Sequence, residues 1–233
     1  MTLELFREDA YLKSCRARVV AVDPAGIRLD RTVFYPEGGG QPGDAGELVL
    51  DDGSILPIVT TRATPEGILH VPAEGGALPA PGTELTARID WDTRHRHMRV
   101  HTCLHLLCAL IPHPVTGGAI ARDRGRLDFD MEQGLDKATV EAALNRLVSA
   151  DHPVGYRWIS DEEMAANMAL VRTMSVQPPM GRGRVRLVDV DGVDLQPCGG
   201  THVARTGEIG AVTLGKVENK GKHNRRVHVL LGD

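Results

Sequence analysis

The chain has 233 residues, of which 42% are hydrophobic and 25% are charged, a composition typical of a globular protein with one large domain or two small ones. No apolar run reaches the roughly 18 residues that a transmembrane helix needs, and Met1–Glu4 lacks the features of a secretory signal, so we expect a cytoplasmic protein with reduced thiols. The net charge of -4 does not by itself indicate a nucleic-acid partner.

Residues 1–91 are predicted to form a small β-barrel or sandwich, because short strand-like segments alternate with turn sequences. Two pairs of these segments flank turns at residues 23–26 and 51–53, and Pro72–Pro81 has the composition of a loop or linker. The predicted strands are Arg16–Val22, Ile27–Val33, Glu47–Leu50, Ile55–Thr60 and Leu85–Trp91.

The remainder of the chain is predicted to be an α+β domain in which an antiparallel sheet packs against helices. Apolar residues recur at helical spacing from Val100 to Ile111 and again from Val140 to Val148. Ser160 and Glu163 form a capping-box pattern before a third helix, Asp161–Leu170. The predicted strands are Val154–Ile159, Arg184–Val190, Ile209–Val217 and Arg225–Leu231.

His101 and His105 form the first of two candidate metal-ligand pairs. Residues four apart on a helix share one face, with Cβ atoms about 6 Å apart. This face lies beside the apolar stripe of the same helix, where a metal could be partly shielded from water. His97 and His101 have the same spacing, so the local pattern leaves both pairs open. We favour His101 with His105, because His95 and His97 stand among arginines and predict an exposed helix start.

Cys198 and His202 form the second candidate pair. Gly199 and Gly200 lie between them, disfavour a helix interior and indicate a tight turn. One cysteine and three histidines are good zinc ligands. Each pair alone is weak evidence, but both together favour a metal site. A zincin-type protease is excluded, because Thr102 stands where that motif needs a glutamate base.

The cations of the second half are grouped, although the whole chain is acidic. Residues 1–91 hold 8 Lys and Arg against 14 Asp and Glu, whereas residues 92–233 hold 19 against 17. The groups could form a basic face that binds phosphates or a solvated surface with interspersed acids, and the sequence leaves both open. The candidate phosphate-binding residues are Arg182, Arg184, Arg186, Lys220, Lys222, Arg225 and Arg226.

Four separated segments resemble motifs of alanyl-tRNA synthetase editing domains and of the β-domain that precedes them. His101–Leu107 (HTCLHLL) is similar to the HT-x-x-HLL motif, and Cys198–Val203 (CGGTHV) with Thr206–Gly210 (TGEIG) is similar to the CGGTHV…TGEIG segment. Phe34–Asp44 (FYPEGGGQPGD) resembles the glycine-rich motif of the β-domain, and Arg225–Arg226 resembles the pair in the last strand. The match leaves no room for an aminoacylation domain, so the chain resembles a free-standing alanyl-tRNA editing protein.

The resemblance implies a β-barrel domain with a glycine-rich loop at residues 1–91 and a zinc-binding editing domain at residues 92–233. It implies hydrolysis of mischarged tRNA(Ala), chiefly the seryl ester, with the glycyl ester as a further candidate. The partner would be the acceptor end of tRNA(Ala), held by the basic residues; no membrane partner is expected, and the oligomeric state is left open. One Zn²⁺ per chain would be held by His101, His105, Cys198 and His202.

The expected chemistry is attack of water on the ester without a covalent intermediate, with zinc orienting the substrate or the water. Four protein ligands are typical of closed structural zinc, whereas catalytic zinc keeps a position open. The four-ligand set therefore conflicts with a catalytic role for the zinc. Thr102 or Thr201 could hydrogen-bond the seryl hydroxyl or be structural. A loop could approach the substrate or the tRNA end, or simply form a tight β-turn; it consists of Gly38, Gly39, Gly40 and Gln41.

Two other functions stay open on the sequence. One is a non-catalytic, zinc-stabilised RNA-binding module, and the other is a different zinc hydrolase that acts on small esters or amides. Both need the same ligands, so only an assay separates them. Histidines outside the ligand pairs are predicted to lie at the surface or in loops: His70, His113, His152, His223 and His228.

Overall fold

The computed structural model describes residues 2–174, 178, 180, 181 and 183–232. The chain divides into two compact units, Met1–His95 and Arg96–Asp233. The division falls within the first α-helix. In the described part of the chain, no helix combines the length and apolar character needed to cross a membrane.

The first unit is a closed antiparallel barrel. Its strands are β1 (Leu3–Glu4), β2 (Ser14–Asp23), β3 (Gly26–Leu29), β4 (Arg31–Thr32), β5 (Gly46–Leu50), β6 (Ile55–Thr64), β7 (Gly67–Pro72) and β8 (Glu84–Ile89). The barrel runs in the order β2-β3-β7-β6-β5-β8, and β1 pairs in parallel with β4 outside it.

Alternation along the strands fills the barrel interior, because every second side chain of a strand faces inward. In β6 the burial alternates from Ile55 to Ile58, with Leu56 and Ile58 inside. The core also contains Leu29, Phe34 and Leu48, all fully buried. The sequence prediction of a small barrel is therefore confirmed.

The second unit contains two antiparallel sheets and the described α-helices. Its elements are α1 (Trp91–Leu110, which begins in the first unit), β9 (Val115–Ile120), β10 (Arg124–Asp130), α2 (Lys137–Ser149), β11 (Val154–Ser160), α3 (Asp161–Ala166), β12 (Arg184–Val190), β13 (Asp194–Pro197), β14 (Val212–Asn219) and β15 (Asn224–Leu231). The strand orders are β14-β15-β10-β9 and β11-β12-β13.

Each helix covers part of a sheet. A Cβ added at Gly125 of β10 would lie 2.7 Å from a Val100 methyl group, so the α1 stripe rests directly on this strand. Asn145 of α2 exchanges two hydrogen bonds with the backbone of Val212 in β14, at 2.7 and 3.0 Å. Met164 of α3 is buried on the three-stranded sheet. The α+β fold class is therefore confirmed.

Several predicted element boundaries were wrong for identifiable reasons. Strand β7 was missed, and Pro72, which was predicted to begin a loop, is instead the last residue of this strand and pairs with Ile58. Trp91 belongs to α1, since Asp90 caps that helix by accepting hydrogen bonds from the amide and hydroxyl of Thr93 at 3.2 and 2.7 Å. The segment from Thr206 to Ile209 is a 3₁₀ helix, so the strand predicted from Ile209 begins only at Val212.

The start of α1 is partly buried, which corrects the prediction of an exposed helix entry. Arg94 is fully buried and donates hydrogen bonds to Asp44, to Ala10 O at 3.0 Å and to Val33 O at 2.7 Å. A buried arginine is tolerated only when its donors are used in this way. His97 is also buried, with 5% of its surface exposed.

His70 was predicted to be a surface or loop histidine and is instead a fully buried residue of the barrel. Its Nδ1–H donates to Ile27 O at 3.1 Å, and its Nε2 accepts from the Thr32 hydroxyl, which lies 2.8 Å away. Burial lowers the pKa of His70 to about 4, against the weaker opposing effect of the Ile27 carbonyl. The ring is therefore neutral and structural near neutral pH.

Candidate metal centre

The first two candidate ligands project from one face of α1, as the sequence predicts. The rings of His101 and His105 lie 5.4 Å apart between centroids. Only 8% and 7% of their surfaces are exposed. The face beside the apolar stripe is thus almost as buried as the stripe itself, which shields a bound ion from water.

The second pair comes from the turn that follows β13. Cys198 Sγ lies 3.5 Å from His101 Nε2 and 3.4 Å from His202 Nε2. The His202 ring lies 4.2 Å from that of His101 and 4.6 Å from that of His105. The fold therefore joins two pairs that are nearly a hundred residues apart in the chain.

The ligand atoms of His101, His105, Cys198 and His202 all lie within 4.8 Å of one another. In a tetrahedral zinc site, bond lengths of about 2.1 Å to nitrogen and 2.3 Å to sulfur separate neighbouring ligand atoms by roughly 3.4 to 3.7 Å. The two measured sulfur–nitrogen separations match that spacing. One sulfur and three imidazole nitrogens at this distance can bind a metal ion.

A buried carboxylate fixes the orientation of His105. Asp194 Oδ2 lies 3.2 Å from His105 Nδ1, and the Asp194 side chain has no exposed surface. Since the carboxylate can only accept, the proton must sit on Nδ1, which leaves Nε2 to face the ligand cluster. Gln196 Nε2 donates to the same Asp194 oxygen at 2.7 Å and holds it in place. Carboxylate support of this kind is common behind metal-binding histidines.

Thr102 orients the ligand on the opposite side of the cluster. Its hydroxyl donates to Met98 O at 3.0 Å and accepts from the Val203 amide at 3.2 Å. His202 Nδ1 lies 3.3 Å away and donates to the same oxygen. The single proton and both lone pairs of the hydroxyl are then used. Thr102 therefore helps to position His202. Thr201, the other candidate threonine, is also fully buried.

Arg186 is buried, with 2% of its surface exposed, and does not lie on a basic face. Its guanidinium donates to Cys198 O at 3.0 Å and to Gly200 O, and it stacks on the Tyr156 ring at 4.4 Å. These contacts clamp the ligand turn to β12. The sequence grouped Arg186 with phosphate-binding residues because strand spacing does not reveal what packs against an arginine.

The cluster favours the deprotonated form of its sulfur. Burial would raise the pKa of the Cys198 thiol, but the charges of His101 and His202 and hydrogen bonds from His101 and His105 outweigh it, so the pKa lies well below its usual range. The Gly200 amide also donates to the sulfur at 3.4 Å. A thiolate is the form of cysteine that binds metals.

The pKa values of His105 and His202 are shifted in opposite directions. Burial alone would lower the pKa of His105, but hydrogen bonds with Asp194 and Cys198 raise it to about 9. Burial and the neighbouring charge of His101 lower the pKa of His202 well below its usual value. In the absence of metal, an imidazolium therefore faces a thiolate, and metal binding displaces the proton.

The other candidate phosphate-binding residues lie at or near the surface, apart from Arg182, which is outside the described residues. Arg184 is exposed and stacks on Trp158 at 4.1 Å. Lys222 is exposed, and Lys220 pairs with Glu218 at 2.8 Å.

Two further arginines of this group are held by neighbouring acceptors. Arg225 donates to Gly221 O at 2.8 Å and to Glu132 O. Arg226 pairs with Asp128 through Nε at 2.7 Å. Arg184, Lys220 and Lys222 are therefore the most accessible cations among the described members of the predicted set.

The glycine-rich loop belongs to the barrel unit and is a tight hairpin. Gly38 and Gln41 exchange backbone hydrogen bonds at 3.1 and 2.9 Å. Gly39 and Gly40 stand between them with φ of 58° and 81°, which two-residue turns of this type require. The tip is exposed, whereas Gln41 is buried. Gly43 has a different constraint, because a Cβ there would lie 2.1 Å from Thr61 O.

Asp194 and Gln196 were missed by the sequence analysis. They precede Cys198 by four and two residues, and alternate residues of a strand face the same side. A strand ending at a ligand cysteine therefore presents these side chains toward the same site. That alternation was the available signal, but strand β13 itself was not predicted.

Two family models match the chain. Residues 185–228 match the threonyl and alanyl tRNA synthetase second additional domain, and residues 7–93 match the class II (A) tRNA synthetases. The first match includes the ligand turn, and the second covers most of the barrel unit. The fold and the metal-ligand cluster thus define a protein of the tRNA synthetase editing class.

Relatives that match over the full length of the chain point to one family within this class. An alanyl-tRNA editing protein AlaX-M of Methanosarcina acetivorans is 37% identical, over 100% of both chains. The AlaX-M of Saccharolobus solfataricus is 35% identical over 98% of each chain. An alanine–tRNA ligase of Pyrobaculum aerophilum is 36% identical over 93% of this chain, which is 25% of the ligase.

The chain belongs to the family of alanyl-tRNA editing proteins, which confirms the resemblance found in its sequence. Editing is a hydrolytic activity, so the family places the chain among the hydrolases, as the sequence predicts.

Proposed function

We propose that this protein is a trans-editing hydrolase that deacylates mischarged tRNA(Ala), chiefly Ser-tRNA(Ala), with Gly-tRNA(Ala) as a second substrate. The observation that carries the proposal is the cluster of four ligand atoms within 4.8 Å in a chain of this family. The cysteine–histidine donor set fits zinc, at one ion per chain. When bound, zinc supplies a Lewis acid that can polarise an ester carbonyl or lower the pKa of a water molecule.

The protein's own residues prepare the site before substrate arrives. Asp194 accepts a hydrogen bond from His105 Nδ1–H, and the Thr102 hydroxyl accepts one from His202 Nδ1–H. Both Nε2 atoms therefore face the ligand cluster. The surrounding burial excludes bulk water and strengthens the electrostatic interactions of the site. Such a preorganised site favours attack by one oriented water molecule on the aminoacyl ester.

Selectivity for serine has a physical basis in the extra hydroxyl. A pocket that hydrogen-bonds this hydroxyl rejects alanine, because alanine leaves the polar groups of the pocket unpaired. Thr201 is a candidate for this contact. The hydroxyl of Thr102 uses its proton and both lone pairs within the protein. For the barrel unit, we propose that Gly38, Gly39 and Gly40 approach the tRNA end, with Gln41 bracing the turn.

We propose that Arg184, Lys220 and Lys222 contribute to holding the acceptor stem. Their exposure supports this role. Arg225 and Arg226 would contribute through the guanidinium N–H groups that their present acceptors do not use. Binding should then weaken as salt rises, with a slope set by the number of phosphates contacted.

The deciding assay compares hydrolysis of Ser-tRNA(Ala) and Ala-tRNA(Ala) by zinc-loaded protein, with and without a chelator. We expect rapid deacylation of the seryl ester only, and loss of that activity with the chelator. Equal cleavage of both esters would refute the selectivity argument. No cleavage of the seryl ester would reject editing. Retained tRNA binding in that case would favour a non-catalytic, zinc-stabilised RNA-binding module, which the complete set of four protein ligands also suits.

The ligand assignment has its own test. The Cys198→Ala variant removes the only sulfur ligand, so we expect much less than one zinc per chain after dialysis. Cys103→Ala is the matched control, because Cys103 is fully buried on the same unit and is not part of the ligand cluster. Full zinc content in Cys198→Ala would reject the assigned ligand set.

A further inference from the structure

We propose that Arg172 binds the phosphodiester of the 3′-terminal nucleotide of the tRNA, an inference that rests on the proposed editing function. Arg172 stands beside the metal-ligand cluster, in the segment between α3 and β12. Its backbone carbonyl accepts a hydrogen bond from the Val115 amide at 2.8 Å, which anchors the segment to the start of β9. Its Nη2 lies 3.9 Å from Asp194 Oδ1.

The guanidinium of Arg172 has donors to spare. Its side chain is 36% exposed, and among the described residues its contact with Asp194 is an ion pair without a hydrogen bond. Other arginines of this unit are already used: Arg186 holds the ligand turn, and Arg226 pairs with Asp128. An accessible guanidinium with unused N–H groups at the edge of a reaction site can bind an anion.

Asp194 is the buried acid beside that guanidinium. Its Oδ2 is taken by His105 and Gln196, whereas its buried Oδ1 has no hydrogen-bond partner among the described residues. Among the described residues, the cation that forms an ion pair with Oδ1 is Arg172, at 3.9 Å. The same carboxylate therefore contacts a metal ligand through one oxygen and an arginine through the other.

The position of Arg172 behind Asp194 and His105 limits the part of the substrate that its guanidinium can contact. Between the guanidinium and the ligand atoms stand the Asp194 carboxylate and the His105 ring, so Arg172 is not among the groups that would touch the reacting ester. Its Nη2 is 3.9 Å from Asp194 Oδ1, and Asp194 Oδ2 is in turn 3.2 Å from His105 Nδ1. In an aminoacylated terminal nucleotide, the anion nearest to the ester is the phosphate on the other side of the ribose. The two-pronged guanidinium matches a phosphate, and it would repel the α-ammonium group.

Binding of uncharged RNA tests the contact independently of hydrolysis. Two acceptor-stem minihelices, one complete and one lacking the 3′-terminal nucleotide with its phosphate, are titrated against zinc-loaded wild-type protein and Arg172→Ala. We expect Arg172→Ala to bind the complete minihelix about tenfold more weakly than wild type, the size of one lost hydrogen bond to a charged group. Both proteins should bind the truncated minihelix equally.

Arg157→Ala is the matched control, because Arg157 is an exposed arginine of the same unit whose guanidinium is committed to Asp189. It should leave both affinities unchanged. Arg172→Lys keeps the charge but not the fork, and should recover part of the loss. In hydrolysis of Ser-tRNA(Ala), we expect Arg172→Ala to raise KM with little change in kcat.

Three results would overturn the inference. They are an equal loss of affinity for both minihelices, a fall in kcat with KM unchanged, and a loss of zinc from Arg172→Ala. The last would assign Arg172 to the support of Asp194 alone. Failure of the proposed function looks different, because wild-type protein would then not cleave the seryl ester, whatever the minihelices show.

Discussion

Removing the carboxylate of Asp194 should weaken zinc binding without removing a ligand. In Asp194→Ala, the His105 Nδ1–H loses its acceptor, which now lies 3.2 Å away in a fully buried position. The ring can leave that N–H unpaired, or it can move the proton to Nε2 and lose the lone pair that faces the cluster. The first response leaves a buried donor without a partner, and the second costs free energy when His105 must bind the metal.

The expected size follows from these contacts. A buried donor left without a partner costs about 1 to 3 kcal/mol, and each 1.4 kcal/mol or so is a factor of ten in affinity. Asp194→Ala should therefore bind zinc roughly 10 to 100 times more weakly, the range seen when carboxylates behind metal-binding histidines are lost. Asp194→Asn keeps a neutral acceptor and should lose about half of that free energy.

Competition with a fluorescent zinc chelator at neutral pH measures the dissociation constants. Asp189→Asn is the matched control, since Asp189 stands on the same hairpin but pairs with the exposed Arg157 at 2.6 Å. We expect its affinity to stay within about twofold of wild type. If Asp194→Ala also stays within that range, Asp194 does not position His105 and the tautomer argument is refuted.

Further predictions concern the clamp, the barrel and its loop. Arg186→Ala should lower zinc affinity, because the ligand turn loses its contacts with this side chain. Arg184→Ala should keep its zinc and reduce the salt dependence of tRNA binding by about one unit of slope. Loss of zinc from Arg184→Ala together with full zinc affinity in Arg186→Ala would contradict the burial argument. Because native His70 has a pKa of about 4 while an unfolded histidine takes up a proton near pH 6.5, the free energy of unfolding should fall by about 3 kcal/mol as the pH drops from 7 to 4. Denaturant titrations should show a shallower fall in His70→Asn, and a ring pKa near 6.5 by NMR would rule the effect out. Gly43→Ala places a Cβ 2.1 Å from a carbonyl oxygen and should destabilise the protein by more than about 2 kcal/mol. Gly39→Asn should change stability by less than about 0.5 kcal/mol, since asparagine tolerates a positive φ and the tip is open; equal losses in the two variants would show that crowding is not the cause.

The sequence predicted the metal ligands because their signals are local. Spacing by four on a helix places His101 and His105 on one face in any tertiary context. The glycines between Cys198 and His202 impose a turn in the same way. Strand alternation likewise predicted the barrel and the strand Arg184–Val190, whose observed limits are the same.

The supporting residues could not be predicted in this way, because their roles depend on a partner distant in the chain. Asp194 matters through His105, 89 residues away, and Arg186 through the ligand turn. Arg94 was misassigned to the surface since the carboxylate that neutralises it, Asp44, lies 50 residues earlier.

The sequence by itself determined the α+β class, the editing family and the set of candidate metal ligands, all of which rest on local periodicity or on motifs. The tertiary structure decided which charged side chains face water and which hold the site together. The physical reason is that burial depends on what packs against a side chain, and two arginines in one strand, Arg184 and Arg186, share the same local pattern but not the same surroundings.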